Sequence, residues 1–209
     1  MADHYVQSSP TLEYADGTAV ATTRIGTQGQ ILADQVHGSM YEASRIGTLF
    51  FAANQAAVTT TVALATTYTG LCLYNPVGNN RDLIIRAINF KLSAAPAAIT
   101  LIGIMGGYVS TGGVTAHTTP LVYGTAIWPC NMGSTATPTG LVDSAATIVA
   151  PKFVWPLVGG FTAAALYPDA CAFVDAQGAW VLQPGAYAAI YTLTVSVGFG
   201  SILWEEVKR

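Results

Sequence analysis

The sequence predicts an all-β protein: a sandwich, jelly roll or similar two-sheet fold, with an extended N-terminal arm over residues 1–30 and a single domain over 31–209. Three observations predict it. Short apolar or β-branched runs recur along the chain with turn signals every 8–15 residues or so. Strands do not alternate with helices, which argues against a parallel sheet with crossover helices. No internal repeat of fixed period occurs, which argues against a propeller or a solenoid.

The elements follow in order. Residues 1–30 are polar and carry Pro10, Gly17, Gly26 and Gly29, with one candidate strand at Thr18–Ile25. Leu32, Val36 and Met40 stand four apart and predict a short helix within Gln30–Arg45, weakened by Gly38. Thr48–Ala53, Val58–Val62 and Leu71–Asn75 read as strands, the last closed by Asn75-Pro76 and the turn Gly78-Asn79-Asn80. Asp82–Leu92 is the strongest central strand. Ile84, Ile88, Phe90 and Leu92 share one parity, with Arg86 an exception, while Leu83, Ile85 and Ala87 occupy the other. Apolar residues on both faces predict a strand between two layers. Ile99–Met105 repeats that character, and Gly106-Gly107 reads as a bulge or bend.

Residues 110–146 are rich in Gly, Thr, Ser and Pro, with one predicted strand at Leu121–Trp128. Thr147–Trp155 reads as a strand that Pro151 confines to an edge or breaks. Phe161–Leu166 suggests a helical turn ended by Pro168. Finally come Val181–Leu182, a type II turn at Gln183-Pro184-Gly185, a long strand Tyr187–Val197, a turn at Gly198–Gly200 and a last strand Ser201–Val207. The last two strands are expected to form a hairpin, with Glu205-Glu206 ending the apolar pattern at solvent.

Charge is scarce. The 209 residues hold 8 Lys and Arg and 11 Asp and Glu, or 9% charged, with a net charge of −3. A chain of average composition carries about 25%. Spread over a folded surface of roughly 9,200 Å², this is one charge per about 480 Å². Seven charges lie in residues 1–45 and four in the last five residues, and 92–142 has none. Thr, with 25 copies, can cover a solvated strand face. Burial against other subunits is the alternative, because interface cores are depleted of charge. So few scattered basic residues argue against a nucleic-acid binder. Gln183–Trp204 is uncharged and long enough to span a bilayer, but its large residues alternate with Thr and Ser, so a strand is the better reading. No secretory signal peptide is read at the N-terminus.

No catalytic, cofactor-binding or metal-binding residues are assigned. The three cysteines, Cys72, Cys130 and Cys171, form no paired motif and read as buried free thiols of a reducing compartment. His4, His37 and His117 lie in unrelated segments. Patterns for a nucleophile elbow, a zinc protease or a phosphate loop are missing. A carboxylate pair for glycoside hydrolysis would draw on Asp143, Asp169 and Asp175, the only acids of the body apart from Asp82. Asp169 and Asp175 are explained as simply by turns. Tyr108, Tyr123, Trp128, Trp155, Tyr167 and Trp180 could form a sugar platform, or could be core and interface residues.

Three stretches carry a family resemblance: Gln35-Val36-His37-Gly38-Ser39-Met40-Tyr41-Glu42-Ala43 with Gly47-Thr48-Leu49-Phe50; Gly70-Leu71-Cys72-Leu73-Tyr74-Asn75-Pro76 with Asp82-Leu83-Ile84-Ile85; and the terminal Leu-x-Pro-Gly segment ending in Trp204-Glu205-Glu206. Over about residues 30–209 the chain resembles small structural proteins encoded among the virion genes of tailed bacteriophages. The resemblance implies a jelly-roll decoration or cement protein of the phage head. Such a protein is virion-located and made in the host bacterial cytoplasm. It is non-enzymatic and without cofactor, often trimeric, and bound to the major capsid protein or another virion protein, not to nucleic acid or membrane. A tail or head-fibre module that binds a receptor or glycan is the alternative. The family brings no catalytic residues with it.

Overall fold

A computed structural model describes residues 38, 40–61, 64–149, 153–161 and 171–209. The N-terminal arm, the strand Thr18–Ile25, most of the helical segment before Met40, Pro151, and the turn after Phe161 lie outside these residues. So do Tyr167, Asp169, His4 and His37.

The compact body, Glu42–Arg209, is built of strands. After one helical turn, α1 (Tyr41–Arg45), come β1 (Leu49–Ala53), β2 (Val58–Thr59), β3 (Thr67–Tyr74), β4 (Arg81–Leu92), β5 (Thr100–Tyr108) and β6 (Val114–Pro120). These are followed by β7 (Ile127–Pro129), β8 (Leu141–Ile148), β9 (Phe153–Phe161), β10 (Cys171–Leu182), β11 (Ala186–Thr192) and β12 (Val197–Lys208). All strand pairs are antiparallel, in two sheets packed as a sandwich. The first sheet runs β10-β4-β12-β1-β7, with β2 also on β12. The second runs β6-β8-β3-β11-β5-β9.

The winding is that of a jelly roll. Set aside β2 and the inserted β6–β8, and eight strands remain in chain order. The first sheet then reads first-eighth-third-sixth (β1-β12-β4-β10), and the second reads second-seventh-fourth-fifth (β3-β11-β5-β9). The insertion between β5 and β9 widens both sheets on one side, adding β7 beside β1 and β8 with β6 beside β3. Between the sheets lies the main core, with Phe50, Ile85, Phe90, Ile202 and Trp204 from the first and Leu73, Ile102, Ile104 and Ile190 from the second.

β4 has one core face, not two. Leu83 and Ile85 point inward, and so do Ile88, Phe90 and Leu92, because Arg86 is an extra residue. Trp204 pairs with Ile85 and Leu203 with Ala87, so the ladder skips Arg86. A one-residue bulge switches the parity of everything beyond it. On the other side β10 makes a longer detour, from Asp175 opposite Ala87 to Trp180 opposite Ile85. Gln177 and Gly178 take φ of 47° and 78° there. A Cβ on Gly178 would sit 3.0 Å from Nη1 of Arg86, so the detour wraps the bulged guanidinium.

β5, by contrast, is buried on both faces. Ile102 and Ile104 enter the main core, while Met105 joins a second cluster on the outer face of its sheet with Tyr68, Cys72, Tyr187 and Ala189. Gly106-Gly107 is neither bulge nor bend: the register with β11 runs unbroken from Tyr108 to Ile102.

Other expectations are also corrected. The predicted strand Leu121–Trp128 is mostly a turn closed by Val122, and β6, β7 and β8 fall in the Gly- and Thr-rich stretch instead. Thr147–Trp155 divides between β8 and β9. β11 stops at Thr192, the chain turns at 193–196, and Gly198 and Gly200 lie inside β12. β11 and β12 belong to different sheets, so they are not a hairpin. Gly200 is needed for close approach, since a Cβ there would lie 2.6 Å from Cδ1 of Ile190. The turn at Gln183-Pro184-Gly185 is as expected: Ala186 N–H donates to the Gln183 carbonyl at 2.8 Å, and Gly185 has φ 94°.

Candidate functional site

The candidate acids among the described residues do not converge. Asp143 is fully buried on β8, toward the outer side of the second sheet, while Asp175 is exposed on the outer side of the first. Asp82 pairs with Arg209 at 3.4 Å. No two of these three face each other across a cleft, as a glycosidase pair must.

Asp143 has a partner that the sequence spacing did not reveal. Nδ1 of His117, on β6, lies 2.7 Å from its Oδ2, and the His117 ring rests 5.7 Å from that of Tyr74. Its other oxygen, Oδ1, is buried without a hydrogen bond among the described residues. Burial raises the Asp143 pKa, and the hydrogen bond and charge of His117 oppose that shift. Cys72 stands opposite Asp143 in the ladder. Its thiol is pushed far up, first by burial and then by the nearby carboxylate. A fully buried thiol with a raised pKa is a poor nucleophile; the His117–Asp143 contact joins β6 to β8. Of the three thiols expected to be buried only Cys72 is: Cys130 and Cys171 are partly exposed, Cys130 with its pKa pushed up to about 11 by desolvation, and none of the three is in a disulfide. Among the described residues no group of three or more His, Cys, Asp or Glu could hold a metal ion.

Glu206 corrects another expectation. It does not end the strand at solvent but is fully buried. Its carboxylate accepts from Thr139 N–H at 2.8 Å and 3.0 Å, Thr139 Oγ1 at 2.7 Å, Gly140 N–H at 2.8 Å and Trp204 Nε1 at 3.2 Å. Arg81 Nη1 lies 3.6 Å away. Asn79 Nδ2 donates to Thr139 Oγ1 at 3.0 Å and to Asn75 Oδ1 at 2.7 Å; the buried Asn75 Nδ2 donates to the Leu182 carbonyl at 2.7 Å. One polar chain thus ties three connections at one end of the sandwich.

The aromatics divide. Trp155 on β9 and Trp180 on β10 meet at 4.6 Å between ring centroids, and Trp155 is 47% exposed. Tyr123 and Trp128 pair at 6.5 Å. Tyr108 stands exposed at the end of β5.

The largest unusual feature is the outer face of the first sheet. Side chains that alternate with the core line three rows across the strands. One is Trp128, Phe51, Leu203, Ala87 and Asp175; the next is Ala53, Ser201, Asn89 and Phe173; the third is Phe199, Lys91 and Cys171. Phe173 is 65% exposed and Phe199 45%. Phe51, Ala87, Asn89, Phe173, Ser201 and Leu203 surround a shallow depression in the middle. Among the described residues two ion pairs stand on this face, Arg86 with Glu205 and, at its end, Asp82 with Arg209, and each neutralises itself. The outer face of the second sheet differs: Tyr68, Cys72, Met105 and Tyr187 on it are buried.

Fold and faces together define a class: a jelly-roll sandwich with large aromatic side chains exposed on one sheet face. No protein-family model, curated protein or solved structure matches the chain. Among the described residues no helix is long and apolar enough to cross a membrane, and Gln183–Trp204 falls mainly in β11 and β12.

Proposed function

We propose that this chain is a non-enzymatic virion structural protein, a decoration or cement protein of a tailed-phage head that self-associates and binds the major capsid protein. The observation that carries the proposal is the open outer face of the first sheet, where Phe173, Phe199 and Trp128 are exposed beside a few charged side chains, Lys91, Asp175 and the Arg86–Glu205 pair. Apolar patches of this kind mark interaction surfaces. The scarcity of charge through the body and the resemblance of its motifs to phage structural proteins support the same reading. A jelly roll suits the role because its rigid faces can be repeated over a shell, where many weak contacts add up.

The test is cryo-electron microscopy of the intact particle, with mass spectrometry of purified virions. The chain should be present in many copies on the head, and its absence from purified virions would refute the proposal.

A second reading, a receptor- or glycan-binding module of a tail or fibre, is favoured by the Trp155–Trp180 pair at the sandwich edge. Glycan binding abolished by Trp155→Ala would support it. Silence across host polysaccharides would remove it.

A further inference from the structure

We infer that the open face of the first sheet packs against the same face of a second copy, in a twofold contact. This deepens the self-association proposed above and rests on it. Sheets associate by their edges or by their faces, and here every edge is blunted. β7 has three residues and ends in Pro129. β10 is interrupted by its detour at Gln177-Gly178. β6 ends in Pro120 with three breaks of register against β8. β9 contains Pro156, which has no N–H, and breaks register twice against β5. Such edges resist strand addition. The face remains.

Its charges are self-complementary. Lys91 and Asp175 stand two rows apart on neighbouring strands, on either side of the row of Ser201, Asn89 and Phe173. Among the described residues neither forms an ion pair within the chain. A copy turned over about an axis roughly 15° from that middle row, so that its strands cross at about 30°, brings Lys91 of each copy to Asp175 of the other. The two Phe173 rings then meet near the axis, and small Ser201 and Asn89 leave room at the centre.

The experiment is light scattering coupled to size-exclusion of the full chain over a concentration series. Wild type should approach twice 21.7 kDa. Phe173→Asp should weaken the dimer by at least about thirtyfold, as loss of a central aromatic does. Lys91→Asp and Asp175→Lys should each weaken it, and the two together should restore it. Thermal melts followed by circular dichroism check that each variant is folded. Alkylation of Cys171, which lies within the contact, should be slower in wild type than in Phe173→Asp. A wild-type monomer throughout, or no rescue by the charge swap, overturns the contact. A three-copy mass untouched by Phe173→Asp overturns the twofold arrangement but leaves self-association standing. Absence from purified virions defeats the function without touching the dimer.

Discussion

Glu206→Ala should be the most damaging single change outside the apolar core. The carboxylate is fully buried and takes hydrogen bonds from two backbone N–H groups, a hydroxyl and the Trp204 indole. Removing it strands Thr139 N, Gly140 N and Trp204 Nε1 away from water. Each buried donor left unpaired costs about 1–3 kcal/mol, and the costs do not add fully. Breaking a buried charged cluster by removing one partner costs about 3–5 kcal/mol in all, so about 4 kcal/mol is expected. In a chain this long, 1 kcal/mol moves the melting point by about 2–4 °C, so Tm should fall by about 8–16 °C. Glu206→Gln keeps the volume and one acceptor, but presents an amide NH₂ to donors that need an acceptor. It should fall between wild type and Glu206→Ala. The assay is thermal and urea unfolding by circular dichroism, with Trp204 followed in the near-ultraviolet. A melting point for Glu206→Ala within about 2 °C of wild type would refute the reasoning, since that is under 1 kcal/mol.

Gly185→Ala should destabilise by about 2 kcal/mol or more in urea titration, because φ is 94° and a Cβ would run into the Val109 carbonyl oxygen; an unchanged midpoint would contradict the turn geometry. Asp143 yields a pH signature. Burial raises its folded pKa above the ordinary 3.8, so its contribution is fully present below that value and is lost as pH rises through the raised one. Asp143→Asn should therefore gain on wild type between acid and neutral pH, measured as the difference in melting point, and a constant or shrinking difference would show that His117 outweighs burial. Cys72 is fully buried with its thiol pushed up, whereas Cys130 is half-buried, so native-state alkylation mapped by mass spectrometry should label Cys130 well before Cys72. Equal rates would place Cys72 within reach of solvent.

Much of the sheet architecture was legible because strands advertise themselves locally. β1, β3, β4 and β5 sit on apolar runs, and Asn75-Pro76 after β3 and Gln183-Pro184-Gly185 between β10 and β11 mark turns by backbone chemistry that neighbours cannot change. Leu121–Trp128 misled because a run of large residues says nothing about whether a ladder partner exists. β6 went unseen for the opposite reason: it is exposed at nearly every position, so Thr and His stand where alternation would be sought. Gly198 and Gly200 look locally like a turn, but they stand where Lys91, Phe90 and Ile190 come too close for a Cβ.

The candidate surface was only half legible. That charge is scarce is a property of composition and could be read at once. Which face it concerns depends on parity, and a single inserted residue, Arg86, reverses parity midway along β4. Local patterning therefore determined an all-β chain of short strands, low in charge, with its turns in place. The pairing of first strand with last, the burial of Glu206, the meeting of His117 with Asp143 and the open face of Phe173 and Phe199 were decided by tertiary structure. They join residues tens to more than a hundred positions apart, and only the closed sheets fix which of those distant groups share a face or a cavity.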